Sequence, residues 1–213
     1  MLPYTLTFYS YKGGVGRTLL VANLGVLRAR KGKTLIWDLD IEAPGLHHIP
    51  DLKPQSPIKT GFFEWLKQWQ AARTAYKDAK PDYDALAACV LPTNLSGELH
   101  ILPAHADTAN AAHLYGEIDW DAFLVKDIKL GFRLFNDALE YFAAQGYQTV
   151  LLDARTGITD LGGLLTAFLP HVLVMVGNYG SQNVKGLAGI HRNLRPAFEG
   201  KLKARGDRPP LEC

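Results

Sequence analysis

The sequence predicts a three-layer α/β/α domain built on a mainly parallel β-sheet. Three observations carry that expectation. Short apolar runs with the look of buried strands recur at 34–37, Leu99–Leu102, 149–152 and Val172–Val176. Stretches with helical spacing separate them, and a glycine cluster lies at the first strand-to-helix junction. Strands that are continuously apolar are buried on both faces, as in parallel sheets covered by helices.

Taken in order, residues 5–10 (TLTFYS) form a β-rich run that ends in the glycine cluster KGGVG. From 17 to 30 the pattern turns helical, with Leu20, Val21, Leu24 and Leu27 on one face, and Gly32 stops it. The strand at 34–37 then ends at Asp38, completing a β-loop-α-β unit. Prolines at 44, 50, 54 and 57 mark a loop. Residues 61–77 predict an amphipathic helix carrying Phe62, Trp65, Leu66 and Trp69. Residues 119–145 predict a long helix, because Trp120, Leu124, Ile128, Phe132, Phe135, Leu139 and Phe142 recur every three or four residues. Gly146 ends it, and the strand at 149–152 closes at Asp153. Val172–Val176 is a further strand, followed by a helix over 181–194 that Pro196 and the Pro209-Pro210 pair break.

Composition narrows the function classes. With 213 residues, the chain suits one substantial domain at about 100–200 residues each. Hydrophobic residues at 47% and charged residues at 21% exclude a disordered or collagen-like chain. The apolar runs fall well short of the about 20 residues a bilayer span needs, and the first residues carry no secretory pattern. Cys89 and Cys213 are too few for a disulfide scaffold or a thiolate metal cluster, so the reading is a reduced, cytoplasmic protein. The net charge of +2 is uneven: residues 1–184 hold 16 Lys/Arg against 18 Asp/Glu, and residues 185–213 hold 7 against 3. A basic C-terminal segment is read first as a solvated tail; nucleic acid, an acidic partner or an anionic membrane surface are the alternatives.

The chemistry sits in Lys12-Gly13-Gly14-Val15-Gly16-Arg17-Thr18, between the first strand and the first helix. Glycines there let consecutive backbone N–H groups turn around an anion, and the helix adds its positive N-terminal end. A threonine in the first helical turn can place its hydroxyl on Mg²⁺. The pattern is that of a phosphate-binding loop.

The string resembles the deviant Walker A motif, KGGxGK[ST], of the ParA/MinD-like P-loop ATPases. Trp37-Asp38-Leu39-Asp40 resembles that family's second motif, a strand closing in D-x-D. Leu151-Leu152-Asp153-Ala154-Arg155-Thr156-Gly157 resembles its strand-end Asp and switch segment. Arg17 departs from the usual lysine. The pairing of YSYKGGVGRT with DLDIEAPGL is similar to a KGGVGR-motif subgroup, often the ATPase portion of longer multidomain proteins. Arginine keeps the charge but is planar and bulkier, which puts the rate of hydrolysis in question.

The resemblance implies a P-loop NTPase fold over 1–213, forming the N-terminal part of a longer protein, with ATP and Mg²⁺ as ligands. It implies that the amides of Gly13, Gly14, Val15, Gly16, Arg17 and Thr18 cradle phosphates, with the Arg17 side chain on the β/γ oxygens. Thr18 holds Mg²⁺, supported by Asp38 and, through water, by Asp153. Asp40 orients the attacking water. Lys12 is the signature lysine, which in relatives crosses a dimer interface to the other subunit's phosphates. Arg155 is read evenly as a γ-phosphate sensor or a surface ion pair, and Glu42 as a partner contact or as neutral. Asn178, Gln182 and Asn183 are weighed as base contacts, with a structural role preferred. His47-His48 lacks the further ligands a metal site needs, and Trp65 and Trp69 read as core.

The expected function is a slowly hydrolysing ATPase whose nucleotide-dependent homodimer signals to a protein partner or an appended effector domain. The alternatives are a non-hydrolysing ATP-binding assembly module and a DNA-partition ATPase, the latter supported only by the basic C-terminal segment.

Overall fold

A computed structural model describes residues 2–95, 98–106, 110–122, 126–154, 165–166 and 169–204, with the backbone alone at 128 and 196–204. Strand β1 (Tyr4–Ser10) runs into helix α1 (Arg17–Ala29), and β2 (Thr34–Leu39) follows. Helices α2 (Phe62–Ala75) and α3 (Tyr83–Ala88) precede β3 (Leu91–Pro92) and β4 (Leu99–Leu102). Helices α4 (Ala111–Glu117) and α5 (Ile128–Ala144) lead to β5 (Thr149–Ala154), β6 (Val172–Val176) and α6 (Ser181–Ala204). The strands form one sheet in the order β3-β4-β2-β5-β1-β6. All neighbours are parallel except β3 and β4. The mainly parallel sheet expected from the apolar runs is therefore present.

Successive strand side chains face opposite sides. One set, Leu6, Phe8, Ile36 and Leu151, packs with Val21 and Ala22 of α1. The other, Leu35, Trp37, Val150 and Leu152, packs with α2 and α5 through Phe62, Trp65, Leu66, Phe135, Leu139 and Phe142. Trp37 centres that layer, with its ring 4.9 Å from Phe62 and 5.3 Å from Phe135. Helix α1 lies close against the sheet because Gly25 faces Ile36; a Cβ there would come within 2.6 Å of the Ile36 Cδ1.

Two expectations need correction, and two short elements were not foreseen. The long helix over 119–145 starts only at Ile128. Asp127 is non-helical and its carboxylate accepts from the Leu130 amide at 3.0 Å, a local N-cap that overrides the apolar period. The second correction is at the other end of the chain: α6 runs through Pro196 to Ala204 instead of ending near 194. Proline removes one donor and disfavours a helix interior without forbidding it. Those elements, α3 and the short antiparallel β3, carry no strong period in sequence; α3 is set by its Asp82 cap, 2.9 Å from the Ala85 amide.

Candidate functional site

The site is assembled at the C-terminal ends of β1, β2 and β5, where open parallel sheets place ligands. Asp38 and Asp153 are register partners on β2 and β5. Each has the strand parity of Ile36 and Leu151, so both carboxylates emerge on the α1 side of the sheet. Ser10 ends β1 on that side as well.

Between β1 and α1 the loop takes positive φ at Gly14 (72°) and at Gly16 (84°), the residue that caps α1. Only glycine adopts these angles without strain. A Cβ at Gly13, Gly14 or Gly16 would meet no protein atom within 4 Å, which leaves room for an anion to approach the backbone closely. The loop leads into the N-terminal turn of α1, whose free amides favour negative charge.

Arg17, in that first turn, is 6% exposed. Its Nε donates to Asp153 Oδ1 at 2.5 Å and one terminal nitrogen to Asp40 Oδ2 at 3.0 Å. The other terminal nitrogen reaches Ser10 Oγ at 3.3 Å. The guanidinium thus bridges the two carboxylates expected to orient water and to support the metal. Around it, the Asp40 amide donates to Asp38 Oδ1 at 3.0 Å, and the Ala43 amide donates to Asp40 Oδ1 at 3.3 Å. Asp38 Oδ2 is buried with no hydrogen-bond partner. The Thr18 side chain lies beside Asp153 and favours its charged form.

Electrostatics follow from this burial. Desolvation pushes the Asp38 carboxyl well above the usual carboxylate range, and the Asp153 charge pushes it further. Desolvation also raises Asp153, opposed by the Arg17 charge, by the Thr18 side chain and by the Arg17 hydrogen bond. For Arg17, burial works against the charge, but Asp153 and then Asp40 outweigh it and raise its pKa.

Lys12 is exposed on the loop, and its Nζ donates to Gln182 Oε1 in the first turn of α6. Nearby, Asn178 Oδ1 accepts from the Gly180 amide at 3.1 Å and from Asn183 Nδ2 at 2.7 Å. Asn183 is buried and its own Oδ1 is without a partner. The pairing of Ser10 with Arg17 and of Gln182 with Lys12 is not legible in the sequence, because a serine or glutamine partner is set by packing and not by a motif. Trp65 and Trp69 are core residues. The His47 and His48 rings lie tilted to one another at 49°, with centroids 4.0 Å apart. Among the described residues no group of three or more His, Cys, Asp or Glu is arranged to hold a metal ion by itself. Arg155, Thr156 and Gly157 lie outside the described residues.

Solved structures with the same architecture include MinD from Pyrococcus horikoshii complexed with Mg-ADP, at a TM-score of 0.62 and 20% identity. That match covers 92% of this chain and 67% of that one. The chain has the ParA/MinD-type P-loop ATPase fold. Apo McdA from Cyanothece shares this fold at a TM-score of 0.61 and 18% identity, over 95% and 67% of the two chains. A plasmid partition protein from Borrelia burgdorferi shares it at 0.59 and 15%, over 92% and 74%. The chain thus spans about two thirds of the length of MinD and McdA. No family model matches the sequence, and no curated protein matches it. At the level of fold, the ParA/MinD-like resemblance is borne out. No helix among the described residues is long and apolar enough to cross a membrane.

Proposed function

We propose that this chain binds Mg²⁺–ATP, hydrolyses it slowly, and uses the nucleotide to switch a homodimer that signals to a protein partner or an appended effector domain. The observation that supports this best is the convergence of the Gly13–Gly16 cradle with Thr18, Asp38, Asp40 and Asp153 at one end of the sheet. MinD and McdA, which share the fold, have been solved with Mg-ADP and with ATP respectively.

The residues fit a nucleotide-bound Mg²⁺. Such an ion takes few protein ligands and draws the rest from phosphate oxygens and water. The Thr18 hydroxyl stands beside Asp153, and the buried, unpartnered Asp38 Oδ2 is an acceptor in want of a positive partner. When bound, Mg²⁺ supplies charge neutralisation on the phosphates. The chain does the rest. Backbone amides from Gly13 through Thr18 and the end of α1 hold the phosphates, Arg17 adds a planar donor set to their oxygens, and Asp40 accepts from and orients the attacking water. Lys12 of a second copy completes the site from across the two-fold.

Calorimetry with ATP tests the reading. Saturable binding that tightens on adding Mg²⁺ is expected, and absence of binding under both conditions overturns it. The second reading, a non-hydrolysing assembly module, is favoured by the ion pair that engages Asp40 with Arg17. Steady phosphate release that disappears in Asp40→Ala would reject it. DNA partition is the third, resting on the basic segment of 185–213; ATP-dependent binding that falls steeply with salt would support it.

A further inference from the structure

Arg17 is tied to carboxylates on two different strand ends at once, and this has a consequence for how metal enters the site. Two of its nitrogens pair with Asp153 and Asp40 at 2.5 and 3.0 Å, while the third contacts Ser10 Oγ. Asp38 completes the cluster: it is 1% exposed, linked to the Asp40 amide, and left with one unpartnered oxygen. Two buried carboxylates thus share one guanidinium, and a third, Asp38, lies beside them without pairing to it. A divalent cation drawn to those oxygens would meet a fixed positive charge in a poorly solvated space, where repulsion is strong.

We propose that Arg17 is an internal counter-ion that bars divalent cations from the Asp38/Asp40/Asp153 cluster until a polyphosphate draws the guanidinium away. The idea rests on the nucleotide-site reading for its trigger, but the exclusion of metal does not. A triphosphate offers the guanidinium the same planar, two-oxygen recognition as a carboxylate and more negative charge. Once the guanidinium turns to it, the carboxylates regain their need for a cation. Metal and triphosphate then bind as a coupled pair, each strengthening the other by the same factor. Arginine suits this better than lysine because its forked donors reach both aspartates together, whereas an ammonium is a point charge on a flexible stem.

The test measures metal alone. Mn²⁺ is titrated into the whole chain without nucleotide, and free Mn²⁺ is read by electron paramagnetic resonance. Arg17→Met should bind Mn²⁺ at least about tenfold more tightly than the parent, and Arg17→Lys should fall between them. Adding a non-hydrolysable ATP analogue should tighten Mn²⁺ binding to the parent by about 5–150-fold, and by much less in Arg17→Met. If the parent binds Mn²⁺ alone as tightly as the variants do, the counter-ion role is wrong. Arg17→Lys, which keeps a positive charge in the site, decides the matter if Arg17→Met does not fold. If the variants gain Mn²⁺ affinity but no protein responds to the ATP analogue, metal exclusion stands and the nucleotide reading fails.

Discussion

Asp38 and Asp153 are side-by-side partners on adjacent parallel strands, both buried, with one guanidinium from α1 serving the pair's surroundings. Two carboxylates so placed repel, and burial penalises each charge further. Such an arrangement lowers the stability of the chain by itself and is relieved by positive charge. A cation brought in with bound nucleotide would supply that charge, as proposed above.

Replacing Asp38 should therefore stabilise the ligand-free protein. The folded-state pKa of Asp38 is raised above its ordinary value, so ionised Asp38 opposes folding. The opposition is fully present above the folded pKa and disappears below the unfolded value of about 3.9. Asp38→Asn keeps an acceptor for the Asp40 amide. It should raise the melting temperature at pH 7 without metal, and the gain should shrink steadily as the pH is lowered toward 4. A variant less stable than the parent at pH 7 would mean that Asp38 is held ionised by partners worth more than its burial costs.

Thr18→Ala removes a hydroxyl that lies beside Asp153 and is proposed to hold Mg²⁺. ATP binding with Mg²⁺ should weaken by roughly 1.4 kcal/mol, about tenfold, while binding in excess chelator stays near the parent value. Calorimetry reads both. Equal losses under the two conditions would place Thr18 on phosphate or in the fold instead.

Asp40→Ala removes the acceptor assigned to the attacking water and one of the two carboxylates on Arg17. Nucleotide should still bind, and phosphate release should fall by about 10²–10⁴-fold, the range for removing a group that positions and accepts a proton. Loss of ATP binding, with the circular dichroism unchanged, would make Asp40 a binding residue.

Lys12 is held within its own subunit by Gln182. To reach a second copy it must leave that partner. Light scattering with a non-hydrolysable ATP analogue should show a dimer for the parent and for Gln182→Ala, and a monomer for Lys12→Ala. Dimerisation of Lys12→Ala to the parent's extent would remove the lysine from the interface.

Gly61 enters α2 against the chain after β4. A Cβ there would come within 2.5 Å of the His105 Cα and 2.6 Å of its amide nitrogen, which are backbone atoms with little freedom to move. Gly61→Ala should cost about 1–3 kcal/mol in chemical denaturation. A cost near zero would show that α2 can shift as a unit.

Much of this architecture is legible from local pattern. The apolar runs at Leu99–Leu102 and Val172–Val176 are strands with the expected limits, and the 12–18 string turns at its glycines. The alternation Ile36, Trp37, Asp38 already implies that Asp38 faces away from the Trp37 side. The 119–145 helix failed because a side chain can compete with the backbone: Asp127 caps a new helix where the apolar period alone would continue the old one. Short elements such as α3 depend on one cap and on the packing around it, and periodicity is silent about both.

The glycines, Arg17 and Thr18 could be named from the strand–loop–helix pattern of a phosphate loop, while Lys12 and the roles of Asp38, Asp40 and Asp153 came from the family resemblance. The partners could be named from neither. Arg17 and Asp153 are 136 residues apart, and Lys12 and Gln182 are 170 apart. Composition made a buried arginine costly without saying which acid would relieve it. The β2–β5 register sets Asp38 beside Asp153, and the approach of α1 to that face delivers the guanidinium. A buried charge takes the counter-charges that packing brings within reach, and that reach exists only once the sheet has formed.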